Sequence, residues 1–459
     1  MAETHIIEIL SPIEAKVDNY VAAVIKPVLS YNAVYYRQGA WKKERKEWQK
    51  PIITKGKNCH YFLLGFIRRV KNRLNELGIP YKIKGAYPIL PYKEPDIPGI
   101  NLREDQKEII AEALKKQRGI IQAPTGSGKT LLGIAICSAL EGNVLWLCHT
   151  IDLMNQSYQE FKKAGFKNVY KLGGGEKETS FSKTGRSVVV STRQTFSDPD
   201  ILEKLSTFFD IVIIDEVHHC GKEKSEYTKI LTNLVAPVRI GLTATLPDKE
   251  ESKLVSEGLL GPLITKLSIQ KGNELGIIAK PIIKLLRVPK NYKIAEIRKY
   301  HDVYQKAIVE NLQKNQLIVS TAKKHLDKGE SVLIIVNLIE HGENILSLMR
   351  EQNIPSDFVQ GKTEGEARLE LKAALNEKRK CIICTSVWKE GLNFPELNVV
   401  INAAGGKSEI MTLQALGRGL RVTEKKKFLI FYDIFDPSSR FTVEHFGERL
   451  CLYMDNNWI

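Results

Sequence analysis

The chain is 459 residues long, 43% hydrophobic, and carries a formal net charge of +15. One hydrophobic core does not sustain that length, so two or three domains are expected, and the positive surplus suits a polyanionic partner. No apolar run approaches the roughly 18–20 residues that would span a bilayer, and the N-terminus lacks a basic segment leading into an apolar one, so the expectation is a cytoplasmic protein without membrane contact.

The first segment, to about residue 95, is expected to be a small basic α+β domain. Between residues 41 and 73 it carries eleven basic residues against two acidic ones. The stretch YYRQGAWKKERKEWQK, residues 35–50, interleaves aromatic with cationic side chains. Such a weave can stack on bases and neutralise phosphates, and it can equally be one amphipathic element with a solvated face. Arg37, Trp41, Lys42, Arg68 and Arg69 are the candidate nucleic-acid contacts. YFLLGFIRRVKNRLNEL predicts one helix that buries Phe62, Phe66, Val70 and Leu74 and projects its arginines outward. Four prolines in YPILPYKEPDIPGI, residues 87–100, then mark a linker.

From 96 to 279, short β-branched runs (GIIQA, NVLWLCH, SVVVST, DIVIID, VRIGLT) alternate with helical patterns, which predicts a parallel sheet covered on both faces. From 280 to 459 the pattern returns in kind with SVLIIVN, KCIICTS, NVVINA and KFLIFYDI, so the fold class is α/β with two such lobes in tandem. The seven cysteines sit mostly in apolar runs and are expected as reduced, buried thiols.

IIQAPTGSGKTLLGIAI reads as strand, phosphate loop and helix. Pro124, Thr125, Gly126, Ser127 and Gly128 let backbone N–H groups close around phosphates, Lys129 reaches the terminal phosphates, and the Thr130 hydroxyl ligates Mg²⁺. Ala123 stands where the pattern begins with glycine. Downstream, IVIIDEVHHC places Asp215 and Glu216 at a strand end, where ligands of such sheets bind. Asp215 is expected to hold Mg²⁺ through water and Glu216 to orient the attacking water.

The ordered set APTGSGKT, DEVH, GLTATL and QALGRGLR resembles the motifs of superfamily two helicases and translocases. The resemblance runs from about residue 100 to the end and implies two RecA-like lobes, with ATP in a cleft and one nucleic-acid strand across their tops. Within it, LREDQKE is similar to the adenine-reading element, which gives Arg103 and Gln106. LCHTIDLMNQ, STRQTF, VQGKT and TSVWKEGLNFP are similar to strand-gripping motifs and give Thr150, Thr192, Gln194, Thr363 and Thr385. The resemblance assigns coupling to His218, Thr243, Thr245 and Gly391, with Asn393 departing from the family's usual Asp. It places Gln414 and Arg418 at the γ-phosphate and makes Arg421 the arginine finger. EGLLGPLITKLSIQKGNELGIIAKPIIKLLRVP, NLIEHGENILSLM and FYDIFDPSSRF resemble the group of RecG, XPB and the phage UvsW-like branch-migration helicases. The implied function is an ATP- and Mg²⁺-dependent, monomeric DNA helicase or translocase that acts on forked and junction DNA in recombination, repair or replication. The alternatives are an RNA helicase, the translocating subunit of a restriction or repair assembly, and an architectural protein whose ATP site controls conformation.

Overall fold

The computed structural model describes residues 4–38, 43–176, 179–181, 185–247, 249–359, 381–385, 397–406 and 428–459, with backbone alone for 35–38, 43–46 and 280. The chain forms two compact units: one takes Met1–Ala123 and Gly128–Lys266, the other Pro124–Ser127 and Leu267–Ile459.

In the first unit the N-terminal domain holds a five-stranded sheet of order β5-β6-β2-β1-β7. Its strands are β1 (His5–Ile9), β2 (Glu14–Val17), β5 (Thr54–Lys55), β6 (His60–Leu63) and β7 (Tyr81–Lys84). The stretch at 35–50 belongs to a separate antiparallel hairpin of β3 (Ser30–Gln38) and β4 (Lys43–Pro51), paired from Ser30↔Pro51 to Gln38↔Lys43. Phe62, Phe66, Val70 and Leu74 are all buried, but not by one helix. Phe62 points inward from β6, where it pairs with Ala15, and a 3₁₀ turn at Leu64–Phe66 leads into the helix Ile67–Glu76. Strand alternation and helix periodicity coincide over so short a run, which is why the sequence pattern extends the helix too far.

Leu254, from the helix Glu250–Leu260 of the following lobe, lies in the N-terminal domain's own core cluster. A Cβ added to Gly65 would lie 2.1 Å from the Glu257 carbonyl oxygen and 2.4 Å from that of Gly258. Only a residue without a side chain lets the two backbones approach so closely. Arg69, expected to project outward, instead donates to both carboxylate oxygens of Glu257 on the same helix, at 3.0 and 2.5 Å. The proline-rich segment therefore does not separate two independent cores.

The lobe that follows is a seven-stranded, wholly parallel sheet of order β10-β11-β9-β12-β13-β8-β14. Its strands are β8 (Arg118–Gln122), β9 (Val144–Cys148), β10 (Val169–Leu172), β11 (Val188–Thr192), β12 (Ile211–Asp215), β13 (Val238–Thr243) and β14 (Leu263–Lys266). Every residue of β9, β11, β12 and β13 is buried, which is what helices on both faces demand and why these strands read as continuous apolar runs. Since the strands run one way, their C-terminal ends share one edge: Thr243 pairs with Gln122, and Thr192 with Cys148.

The second unit repeats the plan with β15 (Lys280–Arg287), β16 (Val332–Val336), β17 (Ser356–Val359), β18 (Cys381–Thr385), β19 (Val399–Asn402) and β20 (Phe428–Phe435), in the order β15-β20-β19-β16-β18-β17. It begins at Leu267 because Ile278 belongs to this lobe's core, with Ile269 and Ile277 packed against it. On β20 a fully buried carboxylate, Asp433, accepts from Arg449 Nε at 2.7 Å, Arg449 Nη2 at 3.0 Å and the Tyr453 hydroxyl at 2.8 Å, all from the helix Arg440–Asp455. A charge so placed is tolerable only when paired and hydrogen-bonded.

Replacing Gly65 by Ala forces the two backbones apart and should destabilise the protein by about 1–3 kcal/mol. Melting followed by a first-lobe signal such as Trp146 should shift downward with it; an unchanged first-lobe transition would contradict the shared core.

Candidate active site of the first lobe

Strand β8 delivers the chain into the loop 123–128, and the helix Lys129–Ala139 receives it. Ala123 fits where glycine is usual, because its φ is not positive, its side chain is buried, and its N–H donates to the Thr243 carbonyl at 2.9 Å. Gly126 and Gly128 do need glycine, with φ of 90° and 93°. Ser127 tightens the turn: its Oγ donates to the Pro124 carbonyl at 2.7 Å. Gln106 is buried beside the loop, and a Cβ at Gly128 would stand 2.9 Å from its Nε2. Its Oε1 accepts from the Arg103 N–H at 3.1 Å, while the Arg103 guanidinium pairs with Asp105 at 2.9 Å. Of the expected base-reading pair, Gln106 thus sits against the phosphate loop, while the Arg103 side chain is held by Asp105.

Asp215 closes β12 and is 5% exposed. Glu216 follows in the left-handed region, φ 59° and ψ 62°, which is uncommon for a residue with a side chain and turns the chain sharply at the sheet edge. Burial, reinforced by the neighbouring Glu216 charge and opposed by Lys129, pushes the Asp215 carboxyl up to about 7. Burial acts the same way on Glu216, but the Lys129 ammonium and the His218 ring outweigh it and hold that carboxyl at about 2. One lysine therefore faces two carboxylates, and one carboxyl is short of positive charge.

That donor set fits Mg²⁺, a hard cation that takes oxygen ligands and keeps waters. Thr130 and Asp215 offer oxygens beside the phosphate loop, and Glu216 Oε2 is buried at the same strand end. His218 Nδ1 lies 3.2 Å from Glu216 Oε2 and 3.3 Å from Thr243 Oγ1, and Thr243 Oγ1 donates to the Thr245 carbonyl at 2.5 Å. A polar path thus leads from Glu216 to the loop after β13. His149 was not singled out in the sequence. It stacks on His219 with centroids 3.8 Å apart and planes 5° apart, and only its place directly after β9 would have signalled it.

The same edge carries Thr150 and Thr192. Thr150 Oγ1 caps the helix Ile151–Lys163 by accepting from the Leu153 N–H at 3.3 Å. Thr192 Oγ1 accepts from the Thr195 N–H at 3.4 Å, and Gln194, two residues on, is exposed. The Thr150 hydroxyl accepts within its cap and keeps a proton to donate, whereas Thr192 Oγ1 also shares a hydrogen bond with Thr195 Oγ1 at 2.9 Å. In the second lobe Thr385 ends β18, buried, and its Oγ1 has no partner among the described residues.

Residues 99–248 match the family described as type III restriction enzyme, res subunit, and residues 310–423 match the helicase conserved C-terminal domain. The chain is a superfamily two helicase. A protein named as a helicase in Sulfolobus islandicus filamentous virus is 30% identical over 336 residues, covering 67% of this helicase and 59% of that protein, less than two thirds of its length. The ATP-dependent DNA helicase uvsW of Enterobacteria phage T4 is 26% identical over 345 residues, covering 72% of this chain and 68% of its own. Among solved structures, S. cerevisiae Dbp5 bound to RNA and ADP BeF3 superposes with a TM-score of 0.55 at 15% identity, covering 78% of this helicase and 93% of that chain. The two parallel-sheet lobes are thus RecA-like.

The helicase's Thr363, Gly391, Asn393, Gln414, Arg418 and Arg421 lie outside the described residues, as do Trp41 and Lys42, and the Arg37 side chain is likewise outside them. Arg68 is exposed on the helix Ile67–Glu76.

Lys129→Ala should lower ATP turnover by at least about a hundredfold by removing the cation that faces both carboxylates. Gly128→Ala should raise KM for ATP, since its φ of 93° strains any side chain. Steady-state ATPase assays beside circular dichroism check both, and turnover retained with Lys129→Ala would contradict the assignment.

Proposed function

We propose that this helicase uses ATP and Mg²⁺ to unwind or branch-migrate forked and junction DNA. The observation that carries the proposal is the convergence, on one edge of one sheet, of the phosphate loop, the Asp215–Glu216 pair and the Thr150 and Thr192 caps. Lys129 and the 124–128 backbone bind the phosphates, and Gln106 with Arg103 reads the base. Thr130 and Asp215 would hold Mg²⁺, which when bound would neutralise charge between the phosphates. Glu216, held ionised, accepts a hydrogen bond from the attacking water and orients it. Gln414, Arg418 and Arg421 complete the γ-phosphate contacts, with Arg421 as the finger.

Through His218, Thr243, Thr245 and Gly391, the state of the γ-phosphate is passed to the nucleic-acid surface. Thr150, Thr192, Gln194, Thr363 and Thr385 hold successive phosphates, contacts that fix position and carry no sequence information. The hairpin β3–β4, with Arg37, Trp41 and Lys42, and the exposed Arg68 meet the duplex or the junction. Arg69 has a different part, anchoring that domain through Glu257. DNA as substrate is supported by the similarity to the ATP-dependent DNA helicase uvsW of phage T4. The chain acts as a monomer in the cytoplasm, and no helix among the described residues is long and apolar enough to cross a membrane. The match of residues 99–248 to a restriction-enzyme subunit family supports one further reading, a translocating subunit within a larger assembly.

The test compares ATP turnover on a fork, a four-way junction, blunt duplex, single strands and structured RNA at equal nucleotide concentration across a salt series. Affinity for every polyanion should fall with salt. The expected ranking places branched DNA first; equal or greater stimulation by RNA would overturn the substrate assignment.

A further inference from the structure

The seventh residue after Glu216 is Glu223, and its carboxylate is gripped from the N-terminal domain rather than from its own lobe. The Tyr31 hydroxyl donates to Glu223 Oε1 at 3.0 Å, and the Lys50 ammonium donates to Oε2. Tyr31 and Lys50 are cross-strand partners at the root of the β3–β4 hairpin, and the Lys50 ammonium also lies 5.7 Å from the Tyr31 ring centroid. Tyr31 is 4% exposed, so water competes little for its hydroxyl. Beside it, the Asn32 N–H donates to Glu250 Oε2 at 3.1 Å. One carboxylate thus takes a donor from each strand of the hairpin. Twisting or bending the hairpin shifts one donor against the other and loads Glu223 directly.

From Glu223 the path back to the chemistry is short. Ser252 Oγ pins the Gly221 carbonyl at 2.6 Å, the Cys220 N–H closes the turn onto the Val217 carbonyl at 2.7 Å, and His218 within that turn stands 3.2 Å from Glu216 Oε2. In the other direction the paired strands run on from the root to Gln38 and Lys43, roughly 20–25 Å at the usual rise per residue. A long two-stranded arm is therefore joined at its root to the segment that carries the water-orienting carboxylate.

We propose that Glu223 is a positioning residue for hydrolysis: with Tyr31 and Lys50 it forms the joint through which branched nucleic acid held on the hairpin sets the Val217–His219 turn. This rests on the reading that the hairpin contacts the nucleic acid. The joint accounts for how a substrate-selecting domain far from the phosphate loop would change turnover and not merely affinity. Coupling of this kind is a difference between two states, and a single such joint is worth about five- to tenfold in the coupled quantity.

The test is Glu223→Gln, which keeps the shape and removes the charge. Single-strand-stimulated turnover and fork affinity should stay at wild-type levels, while the extra stimulation by a fork falls about five- to tenfold. The exchanged pair Lys50→Glu with Glu223→Lys should restore fork stimulation, which a purely local packing role would not do. Full fork stimulation in Glu223→Gln, or an exchanged pair that regains the wild-type melting temperature without regaining fork stimulation, overturns the joint. Fork affinity measured on a Lys42→Ala/Lys43→Ala variant separates the underlying reading: undiminished affinity there overturns the hairpin's contact with nucleic acid, whatever Glu223→Gln does.

Discussion

Two adjacent carboxylates at the end of a buried strand repel each other and lose most of their hydration, and Lys129, first residue of the helix after the phosphate loop, makes the pair tolerable. Its charge helps hold Glu216 ionised, while burial still drives Asp215 toward protonation at neutral pH. The site is therefore built with a deficit of positive charge that a divalent cation would fill. The parallel sheet sets up that confrontation, because it brings the end of β8 and the end of β12 to one edge with only β13 between them. The same geometry brings His149, Thr150, Thr192 and Thr243 alongside, each at or just after a strand end.

The first lobe was the most legible part of the sequence, for a physical reason. Strands buried on both faces must be continuously apolar, and a phosphate loop must combine positive-φ glycines with a helix start, so both constraints act on neighbouring residues. The departure at Ala123 is explained by a backbone that does not need glycine there. What the sequence left obscure depends on contacts between residues distant in the chain. Nothing near Gly65 predicts that it must clear the backbone of Gly258, and nothing near Arg69 names Glu257 as its partner. The stacking of His149 on His219 joins two motifs that are read separately in the sequence.

The aromatic and basic stretch at 35–50 illustrates the same limit. Its composition fits a helix, a strand pair or a loop, and what decides is the register with Ser30–Gln38, which no local pattern contains. The described backbone pairs Ser30–Gln38 with Lys43–Pro51 in one antiparallel register. The root of that hairpin and the helix Ile67–Glu76 are both tied to the first lobe, through Glu223 and Glu257 respectively. The N-terminal domain and the first lobe thus share one folded unit, and removing the domain would expose apolar surface on the helix Glu250–Leu260.

The central claim is that Glu216 orients the attacking water in a site that Lys129 and the phosphate loop make competent to bind ATP. The most direct measurement is nucleotide binding and turnover by Glu216→Gln on the same preparation, with a fork as stimulus. ATP should still bind and raise the melting temperature, while hydrolysis falls by about 10²- to 10⁴-fold, as loss of a positioned general base predicts. Turnover within a few-fold of the wild type would contradict the account.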